Sequence, residues 1–119
     1  MTTRRAILGS LATAGALASP RIALAAWPAD RPIEVIVPYP PGGGVDTMAR
    51  MVLPVVQNRL PGARFVVVNR PGAGGQLGWE AVFNAAPDGF TLAATSVPAM
   101  ITYPMERAVR YRPMEFTFI

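Results

Sequence analysis

The sequence contains no cysteine, no histidine and no lysine. Without cysteine and histidine it has no disulfide staples, no Cys/His zinc sites, and no Ser-His-Asp or Cys-His catalysis. Without lysine it has no Schiff base and no phosphate loop of the kind that needs one. Charged residues are sparse at 15%, while hydrophobic residues reach 51% of the 119 positions. That balance is too apolar for a disordered chain and suits one small domain. All 11 basic residues are arginine, and Arg4, Arg5 and Arg21 account for most of the net charge of +4. Beyond residue 25 the arginines and acids nearly cancel and lie scattered. No electrostatic footprint for DNA or RNA is left, so no nucleic-acid partner is expected.

Residues 1–25 read as an export signal. Arg4-Arg5 precede a short apolar stretch from Ala6 to Ala18, and Pro20-Arg21 lead to the small-residue site Ala23-Leu24-Ala25. The stretch is too short to span a bilayer. The paired arginines followed by Ile7 and Leu8 resemble a twin-arginine signal, with general secretion and a retained anchor as alternatives. Cleavage after Ala25 would deliver residues 26–119 to the periplasm.

The remainder alternates strands and helices. Ile33 to Val37 is β-branched and apolar except for Glu34, and reads as a strand ended by Pro38. Tyr39-Pro40-Pro41-Gly42-Gly43-Gly44 must then be a loop, because prolines and glycines so dense suit neither helix nor ladder. Asp46 is a candidate N-cap for a helix on which Met48, Met51, Val52, Val55, Val56 and Leu60 form one apolar stripe. Pro54 interrupts it and predicts a kink or break near Met51 to Leu53. Arg64 to Asn69 is a second strand whose continuous apolar run suits cover on both faces. A second glycine-rich loop, Arg70 to Gln76, leads to a helix over Leu77 to Ala86 that carries Leu77, Ala81 and Val82 on one side. Phe90 to Thr95 is the third strand. Ser96 to Ile119, with Pro98, Pro104 and Pro113, shows no clear element. This order predicts right-handed βαβ crossovers and an α/β fold with a parallel sheet.

Both loops would leave the carboxyl ends of parallel strands and enter helix N-termini, the place where open α/β sheets bind ligands. Unpaired N–H groups there favour an anion, and glycines let the main chain approach it. Two readings stand open: a carboxylate cradle built of main chain, or glycines that only permit tight turns. Nucleotide spacing fails in both loops, since no Gly-Lys-Ser/Thr follows Gly42 and Leu77 stands where the dinucleotide pattern needs glycine or alanine. No cofactor is expected. Ser96 lacks a nucleophile context, and no base is present to activate it, so no enzymatic activity is expected. It caps a turn or bonds a ligand. Arg70 is a solvated or ion-paired loop residue, or faces an anion. Tyr39 lines a pocket or packs beneath the loop. Glu34 suits an exposed or edge position.

Val37-Pro38-Tyr39-Pro40-Pro41-Gly42-Gly43-Gly44, Asp46, Ala49-Arg50, Val67-Val68-Asn69-Arg70-Pro71-Gly72-Ala73-Gly74-Gly75 and Ala86-Pro87-Asp88-Gly89-Phe90-Thr91-Leu92 closely resemble the start of the Bug receptors. These are the extracytoplasmic solute-binding proteins of tripartite tricarboxylate transporters. The resemblance runs from about Pro32 to Ile119. It implies a periplasmic-binding-protein fold of two α/β lobes, of which residues 26–119 would be the N-terminal part of the first, with the second lobe absent. It further implies a small carboxylate or amino-acid-like solute, membrane transporter subunits as partners, and neither catalysis nor cofactor. Ligand contacts are implied at Tyr39, Pro40, Pro41, Gly42, Gly43 and Gly44, with support from Gly74, Gly75 and Gln76 and from Thr95 and Ser96. Val45 departs from the hydroxyl residue common in the family, and family members are considerably longer than this chain. A small interaction module, or a fragment that binds no solute by itself, is the competing expectation.

Overall fold

The computed structural model describes residues 27–119, so the expected export signal lies outside the described residues. Three parallel strands, β1 (Ile33–Val37), β2 (Phe65–Asn69) and β3 (Thr91–Ala93), form a sheet of order β2-β1-β3. Ile33 stands opposite Phe65 and Val37 opposite Asn69, while Glu34 stands opposite Thr91. The first crossover, through α1 (Gly44–Arg59), leads outward from β1 to β2. The second, through α2 (Gln76–Phe83), returns across β1 to β3. Right-handed connections in opposite directions put α1 and α2 on opposite faces. Accordingly Ile33, Val35, Ile36 and Val37 are all buried, because β1 is covered on both sides.

The strand covered on both faces is therefore β1, whereas β2 lies at an edge with Val66 about half exposed. An apolar run reports burial, not lateral position in a sheet, and the expectation for the second strand is corrected on that ground. Glu34, expected at an exposed or edge position, sits in the central strand, and its side chain is exposed enough to lie 3.6 Å from the Arg70 guanidinium. At the amino ends of the strands Ile33, Ala63 and Phe90 pack with Leu60, Phe65 and Leu92. A second cluster beside the other end of the sheet joins Trp79, Met100 and Tyr111.

Helix α1 begins two residues before Asp46, with Gly43 at its N-cap, and runs unbroken through Pro54. Pro54 and Arg50 both lie on the exposed side, where water can replace the bond lost at the Arg50 carbonyl. Only Asp46 and Ala49 of this helix are buried. Its apolar stripe is open instead, with Met51 71% and Val55 59% exposed. On α2 the buried residues are Gly78 and Trp79, and Leu77 is exposed. A third helix, α3 (Val97–Glu106), forms where no element was expected. Pro98 stands in its first turn, which needs no N–H bond, and Pro104 stands in its last turn.

Candidate functional site

In a β2-β1-β3 order the direction of winding reverses between β1 and β3, and ligands of open α/β sheets bind outside the carboxyl ends of the strands at that point. Two segments flank it. Pro38 to Gly43 leaves β1, and Ala94 to Ser96 leaves β3, where the ladder runs one residue further through Ala94 N–H to Ile36 O at 3.0 Å. Thr95 and Ser96 thus leave the sheet beside the strand that the Tyr39 to Gly44 loop follows.

The loop after β1 is held from below by a carboxylate. Buried Asp46 accepts the Gly42 N–H at 2.9 Å, the Asn69 amide at 2.9 Å and the Arg50 Nε–H at 3.1 Å. Asn69, the last residue of β2, also donates to the Tyr39 carbonyl at 3.1 Å. Asp46 is thus not the N-cap; from the third position of the helix it reaches back to the loop. Hydrogen bonds from Arg50, Gly42 and Asn69 lower its pKa from 3.8 to about 2. The folded chain therefore binds this proton more weakly than the unfolded chain does. The stabilisation is complete above pH 3.8 and is lost as pH falls through about 2. Acid titration followed by circular dichroism should show an Asp46→Asn variant with a shallower loss of stability over that window than wild type; parallel curves would contradict this role.

With Asp46 satisfied by Gly42, the N–H groups of Gly44, Val45 and Asp46 have no backbone acceptor among the described residues. They form the positive end of a 16-residue helix. The two glycine loops differ in what explains their glycines. Gly42 has φ +83°, but Gly43 has φ −71°, a Cβ on Gly43 would make only an ordinary contact 3.4 Å from the Pro40 carbonyl, and one on Gly44 would meet nothing within 4 Å. Folding does not require glycine at 43 or 44, and the missing side chains leave the helix terminus open. In the second loop Gly74 and Gly75 have φ +68° and +108°, and a Cβ on Gly75 would lie 2.9 Å from the Trp79 ring. Those two serve packing. Gln76 donates its amide to Glu80 at 2.8 Å. That bond, with the Arg110 N–H, lowers the Glu80 pKa.

Tyr39 packs edge-on against Trp79, with ring centroids 6.4 Å apart. Ser96 occupies the N-cap of α3 without a side-chain capping bond and is exposed. Thr95 accepts the Trp79 indole N–H at 2.6 Å. Trp79, fully buried, was missed by the sequence reading; the small residues Gly75 and Gly78 on either side of it were the available signal. An open depression of about 480 Å³ is lined by Gln76, Leu77, Glu80, Ala108, Val109 and Arg110, and none of the β1-loop or β3-exit residues lines it.

Residues 48–117 match the tripartite tricarboxylate transporter family receptor (TctC). The chain is 38% identical to protein BugT of Bordetella pertussis over 117 residues, which is 97% of this chain and 35% of that protein. It superposes on a solved periplasmic transporter with a TM-score of 0.68 and 38% identity, over 76% of this chain and 30% of that one. A TctC solute-binding protein from Polaromonas gives a TM-score of 0.59 at 41% identity, covering 67% of this chain and 27% of that one. The chain thus spans about a third of the length of the relatives it matches. The parallel α/β architecture agrees with that of these periplasmic binding proteins over the shared part. With the sequence match and the fold in agreement, the chain belongs to the tripartite tricarboxylate transporter receptor family.

Proposed function

We propose that residues 27–119 form one wall of a solute site, in which the α1 terminus receives a carboxylate of a small di- or tricarboxylate and the complete receptor passes the solute to membrane transporter subunits. The observation that carries this reading is the pair Gly43 and Gly44, whose lack of side chains serves neither backbone conformation nor packing while leaving helix N–H groups open. Small ligands usually bury about 70–90% of their surface, so a single wall should bind weakly. Titration of the 15N-labelled chain with citrate should move the Gly44 and Val45 amide resonances, with affinity no tighter than millimolar. Gly43→Val, compatible with the Gly43 backbone, should abolish those shifts and leave the rest of the spectrum in place. If they persist in Gly43→Val but vanish in Arg70→Ala, a side-chain ion pair carries recognition and the cradle is wrong.

The same reading places the protein in the periplasm after removal of residues 1–25. Mass spectrometry of the exported protein should find its first residue at or within two residues of Ala26, and an exported chain that retains Met1 would contradict it. The exposed stripe of α1, with Met51, Val52 and Val55, favours a second reading in which the chain chiefly packs against further protein. Concentration-dependent mass in sedimentation, together with no response to citrate, would select that reading.

A further inference from the structure

Thr95 and Tyr39 lie on the segments leaving β3 and β1, and Gly75 lies on the one leaving β2. One side chain touches all three. The Trp79 ring stands edge-on to Tyr39, would collide with a Cβ on Gly75, and donates its indole proton to Thr95 Oγ1 at 2.6 Å. Tyr103 of α3 closes the cluster, with its ring centroid 5.3 Å from that of Trp79. The indole nitrogen is a donor only, so the Thr95 oxygen must accept. A hydroxyl that already accepts there keeps its own proton for another partner, and Thr95 Oγ1 donates to no acceptor among the described residues. Thr95 is half-buried just beyond the carboxyl end of β3, so its hydroxyl proton is left to solvent or to a ligand bound at the strand ends.

We infer that Trp79 is the positioning residue of this site: through its bond to Thr95 it sets the Thr95 hydroxyl as a donor to an oxygen acceptor of the solute. The inference rests on the carboxylate-cradle reading above. It also states a specificity. On the β3 side the free Thr95 proton favours an acceptor atom, a carboxylate or carbonyl oxygen.

The test is citrate titration of the full chain by NMR, with variants at both ends of the bond. Thr95→Val should weaken citrate by about tenfold, the loss of one hydrogen bond to a charged acceptor, and Thr95→Ser should restore most of it. Trp79→Phe should weaken binding by a smaller factor. The double variant should bind no more weakly than Thr95→Val alone, because Trp79 acts only through Thr95. A merely structural tryptophan would give losses that multiply, and that outcome overturns the inference. Should Trp79→Phe fail to fold, the indole N–H resonance of the wild-type ring supplies the second readout. It should shift on citrate addition and move in Thr95→Val; an indole resonance indifferent to both would overturn the inference. If citrate moves the Gly44 and Val45 amides while Thr95→Val binds as well as wild type, the inference fails and the cradle stands. If citrate moves neither amide in wild type, the cradle reading fails and takes the inference with it.

Discussion

Trp79→Ala is expected to remove a large share of the chain's stability. A buried tryptophan truncated to alanine costs about 3–5 kcal/mol, whereas whole domains are stable by about 5–15 kcal/mol. The position concentrates more than ring area. Tyr39, Tyr103 and Tyr111 all pack edge-on against the indole, so its loss opens a cavity among three aromatic rings at once. Thr95 would lose its donor, and the segments leaving β1 and β3 would lose their common contact. Thermal denaturation by near-ultraviolet circular dichroism should show no cooperative transition, or one lowered by well over ten degrees. A variant that melts within a few degrees of wild type would mean that the cluster is loosely packed and that Trp79 does not organise the strand ends.

Gly78→Ala is expected to destabilise as well, by less, and against the usual direction for a helix. Alanine in place of glycine normally stabilises a helix interior by about 1 kcal/mol. Here the added methyl would lie 2.5 Å from Pro38 Cβ, 2.8 Å from Pro38 Cα and 3.1 Å from the Arg70 carbonyl. Two of these neighbours are main chain and cannot rotate away. Overpacking of this kind costs about 1–3 kcal/mol, enough to outweigh the propensity gain. Relief requires α2 to move off the sheet, and that displaces Pro38, the residue from which the Tyr39 to Gly44 loop departs. Urea denaturation should place the midpoint of Gly78→Ala below wild type. A midpoint at or above wild type would show that α2 does not need its close approach to the loop.

Much of this was legible in the residues. Ile33 to Val37 reads as a strand, and forms one, because a β-branched run closed by Pro38 has few alternatives. The Tyr39 to Gly44 loop and the following helix were legible for the same local reasons. The family motifs, above all Asn69-Arg70-Pro71-Gly72-Ala73-Gly74-Gly75, led to the receptor family that the comparison then showed. Other features left no local trace. Helix α3 was hidden by Pro98 and Pro104, since their cost depends on the turn they occupy and the helix ends are not written in composition. The periodic stripe of α1 suggested a helix that buries an apolar face, yet periodicity reports only that a face exists. What covers that face is a matter of the elements around it, and among the described residues nothing buries Met51 or Val55.

By itself the sequence determined the parallel α/β class, the absence of histidine, cysteine and lysine chemistry, and the placing of two glycine-rich loops at strand ends. These follow from side-chain period, backbone restrictions and composition, all properties of residues near one another in the chain. The tertiary structure alone decided which glycines serve packing and which leave a helix terminus open. It alone set Asp46 beneath the loop through Gly42, Asn69 and Arg50, and joined Trp79 to Thr95. Such contacts depend on strand order and on the face each helix covers, so residues distant in the chain, such as Asp46 and Asn69, become neighbours only once β2 has paired with β1.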